Sequence, residues 1–257
     1  MIKVGFDAGH ALTTPGKETP DHEKEWSFNN KIARAFANEL ALYEGVASKR
    51  FDDPTGKRDV PLKERTDGAN SWGADYYISF HHNGLGGKWG KHGGVETHVY
   101  EKTKNPQSIA LANAIHPAVV KSYGLHDRGI KKTNLHITRE TTCAAVLIEG
   151  GFMDSDTDIN ALRNDTTLLN VGKAIAQAFA NFVGLKKFGE VKGVSTIKEE
   201  TILTQEILNE TGRFAARELI KKGVKEGLFT SKHENVEKYE DKELISYSFA
   251  YINRKFH

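Results

Sequence analysis

"IKVGFDAGH", residues 2–10, is the stretch on which the reading of this chain turns. Ile2, Val4 and Phe6 alternate with Lys3 and Gly5, the period-2 pattern of a β-strand. The run stops at Asp7, and Gly9 and His10 follow at once. A tight turn accounts for the glycine. It does not account for a histidine just past the carboxyl end of a first strand, the edge where open α/β sheets place their ligands. The question is then whether other strands end in matching chemistry.

Further strands are predicted at "GVASKRF" (45–51), "DYYISF" (75–80), "VETHVY" (95–100), "LHIT" (135–138) and "CAAVLIE" (143–149). Helices are predicted between them. Residues 25–43 carry apolar side chains at 28, 32, 36, 40 and 43, one face of a 3.6-residue period. Pro61 suits the first turn of a helix over 61–74, and 105–124 and 166–184 read as two more. Strand–helix alternation over 1–185 predicts an α/β domain. We expect a twisted, mostly parallel sheet of about six strands flanked by helices.

The character changes from "KKFGEVKGVSTI" (186–197), read as a linker. Residues 198–257 show almost no β signal and predict a small all-helical module, with helices near 198–210, 211–227 and 241–254. Phe214, Leu219, Ile220, Val224 and Leu228 are expected on the apolar side of the second, and Asp241 as cap of the third. About 60 residues are marginal for independent folding. The module is therefore expected to need a partner, which a second copy of the chain would satisfy.

Composition narrows the function. Apolar residues at 38% and charged ones at 27% describe a globular protein, and a net charge of +2 gives no reason to expect nucleic acid. A single cysteine, Cys143, rules out an internal disulfide and a cysteine-based zinc cluster, and it is expected in the core. No run approaches 18 apolar residues, so no membrane partner is expected. Met1 leads directly into the first strand without a basic segment and apolar core, so synthesis in a cytoplasm without a Sec signal is expected.

The predicted strands end in a pattern. His10 follows the first, His81 follows "DYYISF", and Glu149 ends "CAAVLIE". In a parallel sheet these ends converge on one edge. A catalytic zinc takes three ligands from His, Asp and Glu and keeps a fourth position open. Two histidines and one carboxylate fit that requirement, with a second carboxylate free to move protons.

At these residues the chain resembles a known family. "DAGH", "EWSFN", "SFHHNG", "RGIK" and "LIEGGFMDS" are similar, in order and spacing, to the motifs of the zinc-dependent N-acetylmuramoyl-L-alanine amidases of the amidase-3 type. "KRFDD", "LKERTDGAN" and "GGVETHVY" extend the resemblance, which covers about residues 2–184. It implies one Zn²⁺ held by His10, Glu25 and His81, with Glu149 as the catalytic carboxylate and Asn29 at the family's asparagine. Ala8 departs from the proline common in the first motif, at a position that shapes the loop and binds nothing.

Rivals exist. His82 adjoins His81 but should point to the opposite face of its strand. His22, Glu18 and Glu23 lie near Glu25, yet Glu25 begins the helical stripe with Asn29 one turn on. His92, His98, His116, His126 and His136 are expected to be solvated or structural, with His92 and His126 placed to line a groove. Asp7 and Asn83 are expected to accept the second N–H of a ligating imidazole.

The resemblance implies hydrolysis of the amide between N-acetylmuramic acid and L-alanine in peptidoglycan. With the C-terminal module read as a wall-polymer-binding or dimerising unit, the arrangement is similar to a phage endolysin that reaches the wall after release from the host cytoplasm. The alternatives are a host autolysin, a zinc carboxypeptidase and a non-catalytic wall-binding protein.

Overall fold

A computed structural model describes residues 1–103, 105–188, 210–227, 236–239 and 244. Six strands form one sheet: β1 (Ile2–Ala8), β2 (Val46–Arg50), β3 (Tyr76–Asn83), β4 (Val95–Tyr100), β5 (Asp127–Thr133) and β6 (Ala144–Phe152). Their order is β2-β1-β3-β6-β4-β5. All pairs are parallel except β4 with β6. The helices are α1 (Glu25–Leu40), α2 (Leu62–Trp72), α3 (Pro106–Tyr123), α4 (His136–Glu140), α5 (Ile159–Leu162) and α6 (Asp165–Val183).

Strand alternation sorts the side chains. Val4, Phe6 and Ala8 of β1, Ile78 and Phe80 of β3, and Val146 and Ile148 of β6 share the larger core with Phe28, Ile32 and Phe36 of α1, Leu111 and Ile115 of α3, and Val171 and Ile175 of α6. The opposite face carries a smaller core of Tyr77 and Ala145 under Ala69 of α2 and Ile137 of α4. Cys143 is half-buried against this cluster, and burial pushes its thiol pKa up to about 12. That keeps it protonated and unreactive.

The chain leaves β1 toward β2 on one side and returns to β3 on the other. The switch in strand order therefore falls between β1 and β3, where a crevice opens beyond their carboxyl ends. His10 and His81 flank that crevice.

One predicted strand is corrected. "LHIT" opens the short helix α4, and the strand is instead β5, "DRGIKKT", which begins eight residues earlier in the sequence. β5 is an edge strand. Edges are kept polar and charged to deter pairing with other chains, which removes the alternating apolar signal.

Contacts divide the chain into Met1–Glu190 and Val191–His257. The start of the expected linker lies on the first unit: Glu44 donates its N–H to the Lys186 carbonyl, Phe188 donates to Leu42, and Lys187 pairs with Glu39 at 2.8 Å. In the second unit, α7 (Glu210–Lys225) buries Ala216 and Ile220 against Val236 and Leu244. Val224, expected on that face, is 42% exposed. The expected helices near 198–210 and 241–254, Asp241 and Leu228 lie outside the described residues, save Glu210 and Leu244 at single positions. Among the described residues no helix is long and apolar enough to cross a membrane.

Candidate metal centre

Three donors converge at the crevice. One ligand atom each from His10, Glu25 and His81 lies within 4.8 Å of the others, the one such group found among the described residues. Glu25 stands at the first position of α1 and is 1% exposed. Its Oε2 lies 3.3 Å from His10 Nε2, and its Oε1 lies 3.1 Å from His81 Nδ1. The two imidazoles meet edge to face with centroids 4.9 Å apart.

The backbone is arranged for this approach. His10 holds φ at 64°, a left-handed conformation uncommon for residues with a side chain and concentrated at functional sites. Gly9 is required beside it, since a Cβ there would overlap the His81 ring. Gly9→Ala must displace one imidazole or the other. Misplacing a catalytic group by about 1 Å costs on the order of a hundredfold. We expect at least that loss in turnover, together with weaker zinc binding in a competition titration.

Arg65 of α2 clamps the same loop from below, at 1% exposure. It donates to the carbonyls of Val60, Ala8 and His10 and to the carboxylates of Asp7 and Asp59. The planar fork reaches partners on both sides of Gly9, which three ammonium N–H groups on a flexible stem cannot reproduce. Arg65→Lys should keep the charge opposite Asp7 and the fold, yet lower zinc affinity about 10–100-fold, as lost outer partners of metal ligands do. A zinc competition titration beside a melting curve checks it; unchanged affinity would show that the clamp does not set His10.

Glu25 has its own support. Oε1 accepts from Asn29 Nδ2 at 3.1 Å and from the His82 backbone N–H at 3.1 Å. Asn29 also donates Nδ2 to the Gly9 carbonyl, so its Oδ1 is the acceptor facing His82 Nδ1 at 2.7 Å. That fixes the proton of His82 on Nδ1 and makes Nε2 the acceptor for the Tyr123 hydroxyl at 2.8 Å. Burial pushes His82 down to about 3, so it stays neutral. Its side chain thus turns away from the donor cluster, as strand alternation requires.

The electrostatics follow from burial and pairing. Burial opposes ionisation of Glu25, but the hydrogen bond and charge of His81, with the His10 charge and the His82 N–H, hold its pKa well below the carboxylate range. Burial lowers His10 to about 4 despite the Glu25 charge. His81 moves the other way: burial disfavours its charged form, and the Glu25 hydrogen bond with the Glu25 and Glu149 charges outweighs it. A neutral imidazole and an ionised carboxylate are the forms that bind a metal.

Glu149 pairs in register with His81 across adjacent parallel strands, about 4.8 Å apart. Both side chains project from the α2–α4 face of the sheet. Burial, and then the Glu25 charge, raise the pKa of Glu149. Its Oε2 is buried with no hydrogen-bond partner among the described residues. An orphan acceptor of that kind beside three convergent donors is the mark of a site built around something the chain does not itself supply. A cleft of about 390 Å³ opens over these groups, lined also by Lys17, Asn83 and Asp154.

Several expectations fall elsewhere. Asp7 and Asn83 make no hydrogen bond to His10 or His81. Asp7 accepts from Arg65 at 2.9 Å and Ser79 at 2.5 Å, so its oxygens are taken, and it reaches His81 only through its charge. Asn83 donates to Glu96 at 3.0 Å. Glu18 pairs with Lys24 and His22, and Glu23 with Arg163. His92 is held by Asp154, His98 by Glu96, and His116 by Asp127. Sequence reasoning missed Arg65 and Tyr123; the "LKERTDGAN" motif was the available signal for the first, and nothing marked the second.

Comparison with known proteins decides the family. Residues 4–181 match the amidase-3 model, described as N-acetylmuramoyl-L-alanine amidase. This chain is an amidase-3 protein. A sporulation-specific N-acetylmuramoyl-L-alanine amidase of Bacillus subtilis (strain 168) is 32% identical over 188 residues, covering 73% of this chain and 70% of the relative. The endolysin of Bacillus phage SPP1 is 33% identical over 191 residues, covering 72% and 67%. Among solved structures, the catalytic domain of CwlV, an N-acetylmuramoyl-L-alanine amidase from Bacillus (Paenibacillus) polymyxa var. colistinus, is 27% identical with a TM-score of 0.66, covering 72% of this chain and all of that one. The amidase-3 chain described here is accordingly an N-acetylmuramoyl-L-alanine amidase acting on peptidoglycan. The twisted mixed sheet and its flanking helices are the fold of those catalytic domains.

Proposed function

We propose that this amidase is zinc-dependent, with His10, Glu25 and His81 holding one Zn²⁺ and Glu149 carrying the proton. The convergence of those three donors next to the unpaired Glu149 Oε2 carries this reading. Two histidines and one carboxylate leave an open position, the donor set of hydrolytic zinc sites. When bound, zinc would polarise the scissile carbonyl and acidify the attacking water.

Glu149 takes a proton from that water as its oxygen adds to the carbonyl carbon between the lactyl group and L-alanine. The raised proton affinity of this buried carboxylate suits a group that must accept a proton and then release it. The same oxygen hands the proton to the alanine nitrogen as the C–N bond breaks, freeing the peptide amine. His81 and His10, set by Glu25, Gly9 and Arg65, keep the reacting edge in place. Mass spectrometry of digested peptidoglycan tests the bond cleaved. Unsubstituted stem peptides beginning with L-alanine are expected. Cut glycan or released terminal amino acids would contradict the assignment.

The setting we infer is phage lysis, in which the enzyme is made in the host cytoplasm and reaches the wall after release. The SPP1 endolysin supports this, and the sporulation amidase supports host autolysis as the second reading. Neighbouring holin and tail genes would favour the first, and sporulation genes the second. The C-terminal unit is proposed to bind a wall polymer or to dimerise. Truncation after Glu190 should then leave a folded, metal-binding enzyme with reduced lysis of intact cells, because a second attachment would be lost. An insoluble product would instead make the unit a structural cap.

A further inference from the structure

We propose that Arg128 is a receptor for a carboxylate on the stem peptide, and so a specificity-determining residue of this amidase. The inference rests on the amidase activity and on Glu149 marking the reacting edge.

Arg128 sits in β5, the strand beyond β4, and β4 carries Glu96 directly opposite Glu149 of β6. At about 4.8 Å per strand, β5 runs roughly 10 Å from the strand of Glu149. The side chain is held on three sides. Its methylenes lie over Gly94, where a Cβ would come within 2.9 Å of Cγ and 3.0 Å of Cδ. Its Nε donates to Glu96 Oε2 at 2.9 Å, and its guanidinium lies 5.0 Å from the centre of the Phe152 ring. Glu96 is itself fixed, with Oε1 accepting from Asn83 at 3.0 Å and in contact with His98 at 3.2 Å.

What remains is unused. The two terminal nitrogens of Arg128 make no hydrogen bond among the described residues, and the side chain is 36% exposed. An arginine that only neutralised Glu96 would not need its stem and its plane fixed as well. Holding a guanidinium fork open in one orientation prepays the ordering cost of binding, and the fork matches a carboxylate in two-point geometry.

The substrate supplies one kind of partner. The lactyl carboxyl of muramic acid is consumed in the amide that is cut, so free carboxylates occur on the peptide side alone. One on the residue after L-alanine lies within reach, since a residue spans about 3.3–3.6 Å of extended chain. Such an anion must pass Glu149 and Glu96, which repel it unless a cation compensates. Lys17 is the cation that lines the cleft itself, with Arg128 beyond its rim on β5, but the exposed Lys17 side chain is held by no hydrogen bond or ion pair among the described residues.

The test uses the full chain loaded with zinc and two soluble N-acetylmuramoyl peptides, identical except that the carboxylate after L-alanine is free or amidated. Wild type should prefer the free form about 10–100-fold in kcat/KM, mainly through KM, the worth of a charge-assisted pair. Arg128→Gln should bring the ratio close to one, with kcat on the amidated peptide, zinc content and melting temperature little changed. Arg128→Lys, which keeps the charge but not the fork, should retain a reduced preference, and it carries the test if Arg128→Gln does not fold. The proposal is overturned if wild type shows no preference, if the Arg128 variants keep it in full, or if it is Lys17→Gln that removes it.

Discussion

Glu149→Gln is expected to lose at least about a hundredfold in turnover while keeping its zinc and its fold, within the 10²–10⁴ range typical of a lost general base. The substitution preserves the side chain's size on β6, between β3 and β4, where it lines the cleft. An amide cannot accept the water's proton, nor pass one to the leaving nitrogen. The structure gives a reason to expect intact stability: Glu149 Oε2 makes no hydrogen bond among the described residues, and burial already disfavours its charge. A neutral isostere therefore relieves a desolvation cost. Elemental analysis and a melting curve beside turnover on purified peptidoglycan check this. Loss of zinc would mean that Glu149 is a ligand and that another carboxylate moves the proton.

His81→Ala is expected to lose both zinc and activity. Its imidazole is one of the three convergent donors, it packs edge-on against His10, and it forms a hydrogen-bonded pair with Glu25. Removing it leaves Glu25 buried with less compensation, and breaking a buried pair by deleting one partner costs about 3–5 kcal/mol. The melting temperature should fall with the metal content, unlike in Glu149→Gln. Retained stoichiometric zinc in His81→Ala would remove His81 from the ligand set.

Much of this centre could be read in the sequence because its parts sit where periodicity changes. His10, His81 and Glu149 end predicted strands, and Glu25 opens the helical stripe of residues 28, 32 and 36, so each is located by a boundary. Residues inside elements were harder. Arg65 lies within α2, where a charged side chain ordinarily reads as solvated, and only the three-dimensional fold shows it buried under the His10 loop. Tyr123 ends α3 and belongs to none of the motifs, and its hydroxyl finds His82 only after α3 packs on the sheet. Asp7 was expected behind an imidazole because a ligating histidine normally donates its second N–H to such a group; Arg65 and Ser79 claim both of its oxygens instead. The same limit applies to β5, whose charged edge carries no alternation to detect, and to the five residues of α4, too few for a helical period.

The most direct test of the proposed zinc centre is turnover on purified peptidoglycan by exhaustively demetallated protein, before and after one equivalent of Zn²⁺ is returned. Hydrolysis should be absent before and restored after, as a three-ligand site with an open position requires. Full activity in the metal-free protein would contradict the centre built by His10, Glu25 and His81.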